Sequence, residues 1–151
     1  MISIESSELI GRPAGQVFAF VSDIRNDPQW HTDILEAEYD ASAPPDLTAG
    51  ATFRTRFKPF MGQSEGTGTV TVYEPPRRVV LTSQMGNLKP VLTLTVEPDG
   101  GGSRITRRLD MEPKGMLRIL APFTSGMMRK RNAGFLTNLK RVLEADGPET
   151  R

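Results

Sequence analysis

The chain has 151 residues, of which 37% are hydrophobic and 25% charged, with 14 glycines and 12 prolines, the make-up of one globular domain rich in turns. A net charge of +1, from 19 basic and 18 acidic residues, provides no broad field for phosphate backbones or anionic surfaces. The absence of cysteine removes disulfides, thiolate metal sites and thiol nucleophiles from consideration.

Ile2 and Ile4 alternate with polar neighbours and open a short first strand. The segment before Pro13 has no basic stretch followed by an apolar run, and the longest apolar run, Val17 to Val21, is far below the roughly 20 residues of a membrane span. A cytoplasmic protein without stable membrane insertion is expected. Pro13 suits the start of a helix, and Val17, Phe20, Val21 and Ile24 give that helix an apolar stripe of about three turns, ended by Asn26, Asp27 and Pro28. From His31 to Asp40, Leu35, Ala37 and Tyr39 alternate with acidic residues, a second strand with one wet face.

Residues 41–50, with Pro44 and Pro45, read as a loop. Phe53, Thr55 and Phe57 then alternate with Thr52, Arg54, Arg56 and Lys58 in a clear period of two. Thr67 to Tyr73, Arg78 to Met85, Pro90 to Val96 and Arg104 to Met111 supply four further strands, separated by short turns such as Gly86-Asn87. The five form an antiparallel meander. Beyond Gly115 the period becomes helical to about Ala145, with Leu117, Leu120, Thr124, Met128, Phe135, Leu139 and Val142 on one face. Pro122 falls inside this stretch and predicts a kink or break. The expected domain spans 1–146 and is followed by a polar tail, 147–151.

The order strand, helix, strand, five-strand meander and long terminal helix resembles the START-like, or SRPBCC, superfamily, in its polyketide cyclase/dehydrase branch. Pro13-Ala14-Gly15-Gln16-Val17-Phe18, Trp30, Gly50, Glu74-Pro75-Pro76-Arg77-Arg78 and the ending Leu136 to Glu144 carry the resemblance. It implies an α+β helix-grip fold, a curved antiparallel sheet of about seven strands gripping the C-terminal helix, with short helices after strand one. It also implies small apolar ligands and no universal catalytic motif.

Among chemistry-bearing residues, His31 is the only histidine and shares a strand face with Asp33, as a general base and its orienting carboxylate, two metal ligands, or a plain rim residue. A metal site normally needs at least three protein ligands, so none is expected. Gly62, Gly66 and Gly68 lead into a strand and not a helix, which argues against a nucleotide loop, and no cofactor is expected. Gly66 and Gly68 either leave room on the concave face or mark a bulge. Arg107 shares the covered face of the last strand with Ile105, Leu109 and Met111, and an unpaired guanidinium there is costly. It pairs with Glu8 across the first strand, anchors a ligand oxygen, or turns outward at a bulge. Asn132 occupies the covered face of the last helix and needs a partner, whereas Arg129-Lys130-Arg131 reads as a solvated face or a docking patch.

The candidate ligand-binding residues are therefore Trp30, His31, Phe53, Phe57, Met85, Arg107, Phe123, Met128, Asn132 and Phe135. They favour a cavity between sheet and helix that binds a small hydrophobic or amphipathic molecule, lipid-like or polyketide-like, in a monomer or homodimer without nucleic acid. A cyclase, aromatase or dehydrase acting in the same cavity is the alternative, and a protein–protein interaction module with a filled cavity is a third. Convergent polar groups inside the pocket favour catalysis over binding.

Overall fold

The computed structural model describes residues 2–41, 47–60, 62–112 and 115–145, without the side chains of 116, 117, 121 and 124. The loop prolines Pro44 and Pro45 and the tail 147–151 lie outside these residues, as do the expected inward side chains of Leu117 and Thr124.

Seven strands form one antiparallel sheet: β1 (Ile2–Ile10), β2 (Ile34–Tyr39), β3 (Thr52–Phe60), β4 (Gln63–Glu74), β5 (Arg78–Gln84), β6 (Val91–Asp99) and β7 (Gly102–Met111). Their order across the sheet is β1-β7-β6-β5-β4-β3-β2, so the first strand closes onto the last and the meander fills the middle. Helix α1 (Ala14–Val21) and a 3-10 helix (Ile24–Gln29) connect β1 to β2, and α2 (Met116–Ala145) lies on the concave face. This is the helix-grip architecture.

The first helical segment is shorter than its apolar stripe suggested, since Ser22 ends α1 and Asp23 caps the 3-10 turn by accepting from the Arg25 amide. The Tyr39 hydroxyl secures this joint, donating to the Ser22 carbonyl at 3.0 Å and accepting from the Ile24 amide at 3.2 Å. In β2 a register shift between Ile34 and Glu36 turns Leu35 outward to 40% exposure. Ile34 takes the half-buried position expected of Leu35.

The core joins Val17, Val21 and Ile24 from the first connection to Val70, Val79, Leu94, Val96 and Ile105 from the sheet and Leu136, Leu139 and Leu143 from α2. Burying each such side chain contributes about 1.5–3 kcal/mol. Gly66 and Gly68 leave no empty room. A Cβ on Gly68 would lie 2.3 Å from the Phe53 ring, and one on Gly66 would meet both Phe57 and Met85. The aromatic rings of β3 occupy the space that side chains at these glycines would take. The bulge falls farther along β4, between Val70 and Val72.

The break expected at Pro122 does not occur; α2 runs as one helix through it. Pro122 is only the seventh residue of α2, and the single carbonyl deprived of a helical donor belongs to Arg118, an exposed residue. The other end of α2 is firmly tied. The Glu144 carboxylate accepts from the Gly11 amide at 2.7 Å and from Lys140 at 2.8 Å, and Lys140 also donates to the Leu9 carbonyl. Among the described residues no helix is long and apolar enough to cross a membrane.

Candidate functional site

A polar layer lies between the concave face and α2, at the level where β7 passes the middle of the helix. Arg107 is carried inward on β7 by the same alternation that buries Ile105 and Met111, and it is 5% exposed. Asn132, 2% exposed, meets it from α2. The Asn132 amide oxygen accepts from Arg107 Nη1, and its Nδ2 donates to the Arg107 carbonyl at 3.1 Å. One amide thereby serves both the side chain and the backbone of the arginine.

Glu8 does not take the expected part. Its carboxylate accepts from the neighbouring Leu9 amide, and in the β1–β7 register Glu8 stands opposite Ile105 and not opposite Arg107.

Phe135 is the hub of the site. His31 stacks on its ring with centroids 3.8 Å apart, and the Arg107 guanidinium lies 5.4 Å from the ring centroid. Trp30, 1% exposed, presents its edge to His31 at 6.3 Å. Trp30 and His31 are held in place by their backbone amides, which both donate to the Asp27 carbonyl at the end of the 3-10 turn. Asp33 does not orient His31; its carboxylate is paired with Arg131.

Among the described residues, three polar atoms of this cluster are buried without a hydrogen-bond partner: Trp30 Nε1, His31 Nδ1 and Arg107 Nε. Burial, reinforced by the Arg107 charge, drives the His31 imidazole well below its ordinary value, so it is neutral at pH 7. Burial likewise pushes the Asp27 carboxyl up to about 8 against the pull of Arg107, which makes it an acid at neutral pH. Arg107 is lowered by burial to about 10, with Asp27 opposing, and stays charged. No ion pair joins the two among the described residues. The guanidinium is therefore a buried cation near a neutral imidazole and a protonated carboxyl, with no anion paired to it among the described residues.

Next to this layer, toward the start of α2, lies a soft apolar one. Leu88 and Met111 are buried there with Met85 and Met128 against them. Met111 is two strand steps from Leu109, and Met128 one helical turn from Asn132, so flexible unbranched side chains plug the approach to the polar groups. Leu92 and Leu109, paired across β6 and β7, are half-buried, Leu92 against the main core.

A family model for polyketide cyclase / dehydrase and lipid transport matches residues 1–144. The chain belongs to that family. Solved structures agree on the fold. A protein from Thermus thermophilus has a TM-score of 0.74 at 18% identity over 96% of this chain and 99% of its own. The KanY protein has a TM-score of 0.70 at 20% identity, covering 95% and 97%. DynU16, from the dynemicin biosynthetic locus, has a TM-score of 0.69 at 16% identity; it takes in 98% of this chain, which spans 49% of DynU16. No curated protein matches the sequence.

The ten candidate residues of this polyketide cyclase/dehydrase family member separate into four groups. Trp30, His31, Arg107, Asn132 and Phe135 converge in the polar layer. Met85 and Met128 belong to the apolar layer, with Phe57 buried near Met85 at Gly66, and Phe53 packs in the main core over Gly68. Phe123 joins neither, standing 82% exposed on the outer face of α2. Among the described residues, one hollow of about 590 Å³ lies beside Arg77 and Thr95, and one of about 680 Å³ lies beside Asn87 and Glu112 and reaches Met111 of the apolar layer. Asp27 escaped the sequence reading because Asn26-Asp27-Pro28 signals a helix end, and nothing local reveals that β7 brings an arginine near it.

Proposed function

We propose that this chain binds a small amphipathic molecule whose apolar body displaces the methionine layer and whose acidic or enolic head enters the polar layer. The observation that carries this reading is the trio of buried, unpartnered atoms around Phe135. Trp30 Nε1 and Arg107 Nε are both donors, so an oxygen acceptor satisfies them, and an anion also balances the guanidinium. Leaving such groups unsatisfied costs about 1–3 kcal/mol each, a cost that a ligand oxygen removes. The family's association with polyketide cyclisation and lipid transport supports an apolar body.

Trp30 is the only tryptophan, so its emission reports directly on the site. Titration with laurate should give a saturable change, and methyl laurate, with the same tail and no anion, should bind at least tenfold more weakly. Arg107→Met, folded by circular dichroism, should lose the preference for the acid. Binding should also weaken as the pH rises through about 8 and Asp27 ionises, a loss that Asp27→Asn should abolish. No saturable change in the native protein, or equal binding of acid and ester, would sink the reading.

One observation favours a catalytic version of the same site. A neutral imidazole and a protonated carboxyl beside a guanidinium are the set needed to move a proton and stabilise an enolate, as a cyclase or dehydrase requires.

A further inference from the structure

The first half of α2 carries a feature that neither the core nor the polar layer uses. Ile119, Phe123 and Met127 are 69%, 82% and 60% exposed, and Leu120 is 42% exposed. Steps of four residues place the first three along one line of the helix, on the side opposite Met128, Asn132 and Phe135. Scattered exposed apolar residues are ordinary, but an aligned row that includes a phenylalanine almost wholly in solvent marks a contact surface.

The charges around the row indicate what it touches. Arg118, Arg129 and Lys130 are exposed, none is ion-paired among the described residues, and Lys130 continues the line of Met127 toward the helix middle. Arg131 is already engaged by Asp33. From Met116 to Leu143 the helix contains no aspartate or glutamate. An apolar row flanked by unopposed basic residues is complementary to an anionic lipid surface, where the rings and aliphatic chains enter the headgroup boundary and the cations meet phosphates. A second copy of the chain fits less well, because a two-fold contact through this face brings the basic residues of both copies together.

We propose that the first half of α2 is a docking face for anionic membrane surfaces, holding the protein on the bilayer without spanning it. The small overall charge of +1 conceals this local concentration. The inference does not depend on the occupancy of the polar layer, since the docking face and Arg107 lie on opposite sides of the helix.

Cosedimentation of the full chain with vesicles of phosphatidylcholine mixed with phosphatidylglycerol tests it, against vesicles of phosphatidylcholine alone. Binding should require phosphatidylglycerol and fall as salt is added. The pair Ile119→Ser and Phe123→Ser should lower the partition constant at least tenfold. Arg129→Glu with Lys130→Glu should lower it by about fivefold or more per charge. All four positions are exposed, so the variants should keep the native circular dichroism and melting behaviour, and their laurate titration should match that of the native chain. Equal sedimentation of native and Ser variants overturns the proposal. So does a concentration-dependent dimer, formed without vesicles, that the Ser pair dissolves, because the face then belongs to a second copy.

Discussion

The two halves of α2 are one continuous helix yet differ in how far their described side chains are buried. From Asn132 onward, Phe135, Leu136, Leu139 and Leu143 are buried and Lys140 and Glu144 are bonded to β1 and to the turn that follows it. Before Ser125 the exposed side chains include Ile119, Leu120 and Phe123. Helix formation alone does not distinguish the halves, since an isolated segment of this length is marginal in water and most helical stability comes from packing. The second half is held by the tertiary contacts of these side chains.

The sharpest way to break the comparison is to truncate one apolar side chain in each half and measure urea unfolding. Leu139→Ala, at a site with no exposure, should cost about 2–5 kcal/mol. Ile119→Ala should stay within about 0.5 kcal/mol. Equal losses would mean that the first half is packed as firmly as the second.

At the boundary between the halves, Asn132→Ala removes the partner of a buried cation and should cost about 1.5–3 kcal/mol. Combining Asn132→Leu with Arg107→Met should cost less than the sum of the single changes, because the double variant leaves no unpaired charge. Additive losses in that cycle would show that the amide does not hold the arginine.

The smallest effect belongs to the distal tether. Glu144→Gln weakens the bonds to Lys140 and the Gly11 amide and, being partly solvated, should cost about 0.5 kcal/mol at neutral pH. Lys140 first, then the Gly11 amide, lower the Glu144 carboxyl below its ordinary value. Its stabilisation is therefore present above the unfolded carboxylate range, about 4.3, and is lost as the pH falls through the folded value. The Gln variant should show a correspondingly shallower loss between neutral and acid pH, and an identical slope would remove Glu144 from the tether.

How much of this was legible in the sequence depended on the distance over which each cause acts. Phe53 and Phe57 are buried where period-two alternation placed them, because a strand's two faces are set by neighbouring residues. Arg107 was correctly read as inward for the same reason. Leu35 was misread because the bulge at that position arises from pairing with β3, which local alternation does not encode. Glu8 was a reasonable partner for Arg107 by strand order, but Asn132 lies 25 residues away on α2 and reaches it only through the docking of helix on sheet. Pro122 did not break α2, because the one carbonyl it deprives of a donor, that of Arg118, belongs to an exposed residue that water can reach. Phe123 was assigned to the pocket from its type, whereas helical phase turns it away from the core.

The contact between Phe53 and Gly68 has a consequence for inheritance. A methyl group at Gly68 would overlap the Phe53 ring at 2.3 Å, and a small residue in place of Phe53 would leave bare backbone and an empty space over β4. Neither position can drift alone without loss, so the two behave as one heritable unit across neighbouring strands. Substitutions that survive there should arrive as pairs that exchange bulk between β3 and β4.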